Sequence, residues 1–226
     1  MKILLIGASR GLGFALAENM LKRGNQVVAT GRAHSTDKLA QLAAQYPQQL
    51  IVESVDITEP QQLDALSQRL DNAQFDMLFV NAGVKNDDRE TIADVSTEEF
   101  TRVMVTNALS PLRVIETFKD RVTTHGTIAV MSSGQGSITN NTNGNYEVYR
   151  GSKAALNMFM RSFAARNPDE RTLLLMAPGW VQTDMGGPEA RLTIDESIPN
   201  LLDTMESYAG RTGLHYLDYL GRVVPW

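Results

Sequence analysis

Short, unbroken apolar runs alternate along this chain with longer stretches in which apolar residues recur every three or four positions. The runs are Lys2–Ile6, Gln26–Thr30, Leu50–Ser54, Asp76–Val80, Gly126–Met131, Arg171–Met176 and Leu214–Leu217. Most are continuous in Val, Ile and Leu rather than alternating apolar with polar, the pattern of parallel strands covered on both faces. The stretches between them read as helices. Leu12–Arg23 carries Leu12, Leu16, Met20 and Leu21 on one stripe and is followed by Gly24, a suitable helix end. Thr58-Glu59-Pro60-Gln61 has the form of a capped helix start, with threonine as N-cap, glutamine three residues on and proline in the first turn. Ser96-Thr97-Glu98-Glu99 has a similar form ahead of a long helix reaching about Phe118. Strands alternating with helices imply βαβ units with right-handed crossovers. The expectation is therefore an α/β fold with a doubly wound parallel sheet of about seven strands and helices on both faces. No linker, repeat or low-complexity tract interrupts residues 1–226, so a single domain is expected.

Composition narrows the chemistry. The chain has 226 residues, 42% hydrophobic and 21% charged, within the range of ordinary globular proteins. A net charge of -5 and the lack of any Lys/Arg block argue against nucleic-acid and membrane-surface partners. The absence of cysteine excludes disulfides, thiol nucleophiles and zinc–thiolate or iron–sulfur centres. His34, His125 and His215 are isolated from one another and from any paired acid motif, so no metal site is expected. The opening apolar run is too short for a signal peptide or a membrane span, and a cytoplasmic protein is the plain expectation.

Two motifs carry the functional reading. Gly7-Ala8-Ser9-Arg10-Gly11-Leu12-Gly13 stands between the first strand and the first helix. There the helix dipole and unpaired backbone N–H groups converge, and glycines allow a tight turn and close approach of a pyrophosphate. Tyr149 and Lys153 lie four residues apart in a helical stretch, which puts both side chains on one face. With Asp56-Ile57, Asn81-Ala82-Gly83, Asn107, Ser132-Ser133 and Pro178-Gly179-Trp180-Val181-Gln182-Thr183 in order between and beyond them, the chain resembles the short-chain dehydrogenase/reductase family over nearly its whole length. Within that family, Tyr149 to Lys153 and the ending Leu217 to Trp226 resemble the C-factor and sniffer-type carbonyl reductases.

The resemblance implies a Rossmann fold and a nicotinamide cofactor held by Gly7, Ser9, Arg10, Gly11, Leu12 and Gly13. It further implies Asp56 and Ile57 beside the adenine, and Asn81, Ala82 and Gly83 along the ribose side. Pro178, Gly179, Val181 and Thr183 would cover the nicotinamide. NAD-selective enzymes place an acid near the end of the second strand. Here that strand ends Val28-Ala29-Thr30-Gly31-Arg32. Arg32 and Arg10 could instead bind a ribose 2′-phosphate, each charge-assisted bond contributing about 1.5–3 kcal/mol, so NADP(H) is expected in preference to NAD(H).

A free tyrosine ionises near pH ~10, too high for a base at neutral pH. An adjacent lysine ammonium is expected to lower that value, leaving Tyr149 as general acid or base. Ser133 is expected to polarise the carbonyl as an oxyanion-hole donor does. The resemblance favours it over Ser132, because Gly136, three residues on, fits the family's Ser-x-x-Gly pattern, and Ser137 is the third candidate. The resemblance implies that Lys153 holds the nicotinamide ribose and that Asn107 anchors a proton relay. Gly134–Val148 reads as a polar loop facing substrate, with Gln135, Tyr146 and Val84 as pocket walls; Trp180 and Met185 are either further walls or core. A small or medium carbonyl or alcohol is the expected partner. Alternatives are an alcohol dehydrogenase working oxidatively and a signalling or cofactor-sensing protein on the same scaffold. Thr97–Phe118 and Tyr149–Ala165 are the helices through which many family members dimerise, and a homodimer or homotetramer is expected.

Overall fold

A computed structural model describes residues 1–226 and places seven parallel strands in the order β3-β2-β1-β4-β5-β6-β7. They are β1 Lys2–Ile6, β2 Gln26–Gly31, β3 Leu50–Ser54, β4 Phe75–Val80, β5 Val122–Met131, β6 Thr172–Ala177 and β7 Gly213–Asp218. The helices are α1 Gly11–Lys22, α2 Asp37–Gln45, α3 Pro60–Arg69, α4 Thr97–Met104, α5 Ser110–Phe118, α6 Glu147–Arg166 and α7 Ile194–Tyr208. The doubly wound α/β arrangement expected from the apolar runs is the one observed. No helix is long and apolar enough to cross a membrane.

Strand side chains alternate between two apolar cores. Leu4, Ile6, Leu78, Val80, Ile128 and Leu175 face the layer that contains α3, α5 and α6. Ile3, Leu5, Met77, Phe79, Ala129 and Leu174 face α1, α2 and α7. Both faces of each central strand are thus buried, which is why those strands read as continuous apolar runs.

Local differences from the sequence reading have physical causes. β5 begins four residues early, at Val122, with a register shift against β4 between Phe75 and Met77; the polar Thr123-Thr124-His125 disguised that irregular start. Thr58 is not the N-cap of α3. Its hydroxyl and amide both bond the Asp56 carboxylate, at 2.7 and 2.9 Å, and Glu59 takes the cap position without a side-chain bond. Ser96 does cap α4, accepting from the Glu99 amide at 3.1 Å. The long helix expected to run to Phe118 is interrupted by a π-turn at Val105–Leu109 that joins α4 to α5.

Strand order reverses direction between β1 and β4, and in such sheets ligands bind outside the carboxyl ends of the strands at that point. The loops after β1, β4, β5 and β6 all open there.

Candidate active site

The glycine turn between β1 and α1 is built by backbone crowding. Gly7 has φ +86, a conformation that favours glycine, and a Cβ there would lie 2.7 Å from the Ala82 backbone. A Cβ on Gly13 would lie 2.0 Å from the Gly7 carbonyl oxygen and 2.5 Å from Asn81 Nδ2. Asn81 Nδ2 donates to that same carbonyl at 2.7 Å, and the Gly7 amide donates to Thr30 Oγ1 at 3.1 Å. The turn is therefore tied to both neighbouring strands, with Asn81 and Ala82 against its floor. α1 begins at Gly11 with no side-chain cap from Arg10 and no acid in its first turn. Its leading amides are free for an anion, which fits a dinucleotide pyrophosphate.

Around this turn, Ser9 and Leu12 are half-buried, and Ser9 packs where a Gly31 side chain would otherwise stand. Arg32 is exposed just past β2. Arg10 is also exposed and pairs at 3.5 Å with Asp184, in the loop after β6. The Asp56 carboxylate is engaged by Thr58, whereas Ile57 is 5% exposed and belongs to the core. Pro178 and Val181 are buried beyond β6, Gly179 is exposed with φ +83, and Thr183 approaches the glycine turn near Gly11. Trp180 and Met185 are not core residues. They are 48% and 37% exposed, and Trp180 Nε1 donates to the Gly186 carbonyl at 2.7 Å.

At the carboxyl ends of β4 and β5 the structure brings together Asn107, Ser133, Tyr149 and Lys153. Lys153 is 3% exposed, and its Nζ donates to the Met131 carbonyl at 2.9 Å and lies 5.8 Å from the Tyr149 ring centre. Gly83 fits between Asn107 and Lys153: a Cβ there would be 3.4 Å from Asn107 Oδ1 and 3.5 Å from Lys153 Nζ. Asn107 is fully buried in the π-turn. Its side-chain amide donates to the Val84 carbonyl and to Ser152 Oγ, at 2.7 and 2.9 Å, and its Oδ1 accepts from the Val84 amide at 2.8 Å. Ser152 in turn donates to the Tyr149 carbonyl at 2.7 Å, so Asn107 links the loop after β4 to the first turn of α6. Single π-turns inside α-helices frequently occur at functional sites.

The three candidate serines separate clearly. Ser132 is 2% exposed and donates to Asn157 Oδ1 at 2.6 Å. Ser137 is 1% exposed, and its hydroxyl accepts from the Asn140 amide at 3.1 Å. Ser133 is the one whose hydroxyl neighbours the Tyr149 phenol and favours its ionised form.

The electrostatics differ from the expectation that Lys153 would draw the Tyr149 phenol down. Burial dominates and pushes Tyr149 up to about 12, opposed by the neighbouring Ser133 hydroxyl and raised further by Tyr216. Burial also pushes Lys153 down to about 8. A low-dielectric site disfavours the charged form of each group, and at 5.8 Å the ammonium does not offset that cost for the phenol.

The loop Gly134–Val148 forms one short 3-10 turn, Gly134–Gly136, and then runs to Tyr146, which enters α6 with φ +61. Gln135 is half-buried with its Oε1 unpaired. Thr30, Ser152, Asn157 and Tyr216 also support the site and were not singled out from sequence. Each is a single polar residue in a run that reads as core or helix, and each has a partner more than 20 residues away.

A parallel sheet of this order, a glycine turn at its switch point and a Ser–Tyr–Lys cluster at its carboxyl edge define a nucleotide-binding α/β enzyme scaffold. The chain belongs to the short-chain dehydrogenase family, whose pattern matches residues 1–191. Among its relatives is the C-signal protein of Myxococcus xanthus, 38% identical over 154 residues that cover 67% of this chain and 92% of that protein. A short-chain dehydrogenase/reductase from Burkholderia multivorans, solved with bound NADP, is 55% identical over 100% of this chain and 99% of its own, with a TM-score of 0.97. A carbonyl reductase from Pseudomonas aeruginosa PAO1 is 33% identical over the same shares, with a TM-score of 0.91.

Proposed function

We propose that this chain is an NADP(H)-dependent oxidoreductase that reduces a small or medium carbonyl compound to an alcohol. The observation that carries the reading is the convergence of Ser133, Tyr149 and Lys153 at the sheet edge that also holds the glycine turn. Bound NADPH would supply the hydride. The residues that would hold it are the glycine turn Gly7, Ser9, Gly11, Leu12 and Gly13, then Asp56, Ile57, Asn81, Ala82 and Gly83, with Pro178, Gly179, Val181 and Thr183 on the nicotinamide side. Arg10 and Arg32 are the basic groups available for a 2′-phosphate, and NADP bound to the Burkholderia and Pseudomonas relatives supports that choice.

In this reading Ser133 donates to the substrate oxygen and holds the charge that develops there. Tyr149 then gives its phenol proton to that oxygen. A phenol held near 12 keeps its proton at pH 7, so Tyr149 is present as the acid that carbonyl reduction needs. Lys153, held near 8, is still mainly cationic at pH 7 and supplies positive charge behind the phenol. Asn107, through Ser152, fixes the turn that carries Tyr149. Phe100, Leu109, Met158 and Phe159 are large apolar side chains left 37–62% exposed on α4, the π-turn and α6, and a second copy of the chain is proposed to cover them.

The test is a panel of ketones, aldehydes and quinones followed by loss of NADPH absorbance, alongside thermal shift with NADPH. Turnover of at least one class, with NADPH raising Tm more than NADH, supports the reading. No turnover together with no stabilisation by NADPH overturns it.

A further inference from the structure

We infer that Tyr216 is a positioning residue for the proposed reduction: its hydroxyl fixes the Ser133 carbonyl and so aims the Ser133 side chain at Tyr149. The inference rests on the reading of Ser133 and Tyr149 as the groups that meet the substrate oxygen.

Tyr216 stands on β7, beside Leu175 of β6 in register, and is 2% exposed. Its hydroxyl donates to the Ser133 carbonyl oxygen across 83 residues of sequence. That carbonyl also accepts from the Gly136 amide at 2.9 Å, so both of its lone pairs are taken. The Ser133 hydroxyl oxygen accepts from the Gln135 amide at 3.1 Å, which leaves its proton free to be donated. With carbonyl and side-chain oxygen both held, the rotations that would swing the hydroxyl away from Tyr149 are closed.

The rest of this turn is tied to α6. Ser132 bonds Asn157 Oδ1, and Asn157 Nδ2 donates to the Gly136 carbonyl at 3.2 Å. A Cβ on Gly136 would lie 3.1 Å from the Lys153 backbone, so the turn packs directly on the helix that carries Tyr149 and Lys153. Tyr216 reaches the Ser133 carbonyl from the sheet, and its hydroxyl also neighbours the Ser132 and Asn157 side chains.

Tyr216 is itself braced. The Trp226 ring lies 5.5 Å from its ring, tilted by 48°. The Trp226 carbonyl accepts from the Thr139 amide and hydroxyl at 3.0 and 2.7 Å, and the Arg161 guanidinium sits 5.5 Å from the indole. The segment that carries Trp226 therefore spans from β7 to the loop after Ser133 and holds Tyr216 between them.

Tyr216→Phe keeps the ring and its packing on Trp226 while removing one donor. In NADPH-dependent reduction of phenanthrenequinone, the variant is expected to lose about tenfold in kcat with KM for NADPH unchanged. In a Ser133→Ala background the same change is expected to alter kcat by less than about twofold, because there is no hydroxyl left to aim. Equal losses in both backgrounds would show a general structural role and overturn the inference. Amide exchange supplies a readout independent of turnover: the amides of 134–137 are expected to exchange about tenfold faster in Tyr216→Phe, with β4, β5 and β6 unchanged. Unchanged exchange in that turn overturns the inference even if the quinone proves not to be a substrate. A parent protein inactive toward every class of the carbonyl panel, with the exchange effect present, instead counts against the reductase reading and leaves the clamp in place.

Discussion

Lys153→Met removes a buried ammonium from a site that penalises its charge. Burial lowers the lysine from its ordinary 10.5 to about 8, which at ~1.4 kcal/mol per tenfold corresponds to about 3 kcal/mol of lost stability at neutral pH. Methionine is of similar length, and its insertion leaves one group unpaired, the Met131 carbonyl that Nζ now bonds, at a cost of about 1 kcal/mol. The net expectation at pH 7 is a gain of about 2 kcal/mol, or about 4–8 °C in Tm for a chain of this size, together with loss of carbonyl reduction. The pH dependence is more diagnostic than the gain. Between about pH 8 and 10.5 the unfolded chain still holds the lysine proton that the folded protein has released, so the parent's stability rises with pH through that window. The penalty is fully present below pH 8 and gone above 10.5. Tyr149, raised to about 12, keeps its proton in the folded state while the unfolded chain ionises from pH 10, which costs both proteins equally and cancels in the comparison. Urea midpoints for both proteins at pH 7, 8, 9 and 10 provide the assay. A variant less stable than the parent at pH 7, or a difference that stays constant with pH, would refute the claim that Lys153 is held at an energetic cost for its function.

Gly13→Ala places a methyl 2.0 Å from the Gly7 carbonyl and 2.5 Å from Asn81 Nδ2. The turn must open, so NADPH is expected to stop stabilising the protein in thermal shift, with a loss of about 1–3 kcal/mol in urea unfolding. The double variant Arg10→Ala with Arg32→Ala is expected to lower the NADPH-to-NADH preference in kcat/KM at least about tenfold, since each guanidinium–phosphate bond contributes about 1.5–3 kcal/mol. An unchanged ratio would remove both arginines from 2′-phosphate recognition.

The layered sheet was legible because burial on both faces writes itself as uninterrupted apolar runs, and β1 and β3 could be bounded to the residue. The glycine turn was legible for a similar reason: Gly7 and Gly13 stand where a side chain has no room. Tyr149 and Lys153 could be paired from spacing alone because both lie on one helix. What escaped depends on contacts between distant segments. Nothing local distinguishes Tyr216 from any apolar residue of β7, and Thr58 looks like a helix cap until Asp56 is seen to claim its hydroxyl. The direction of the Tyr149 shift was also beyond the sequence, which showed the neighbouring lysine but not the depth of the pocket. Desolvation depends on the packed surroundings, and here it outweighs the charge next door.

The most direct measurement is Tyr149→Phe, assayed for carbonyl-dependent NADPH oxidation and, separately, for NADPH binding by thermal shift. Removal of the phenol proton is expected to lower kcat about 10²–10⁴-fold while the stabilisation by NADPH is retained. Turnover at the parent rate would mean that the proton reaches the substrate oxygen from elsewhere and would contradict the proposed chemistry.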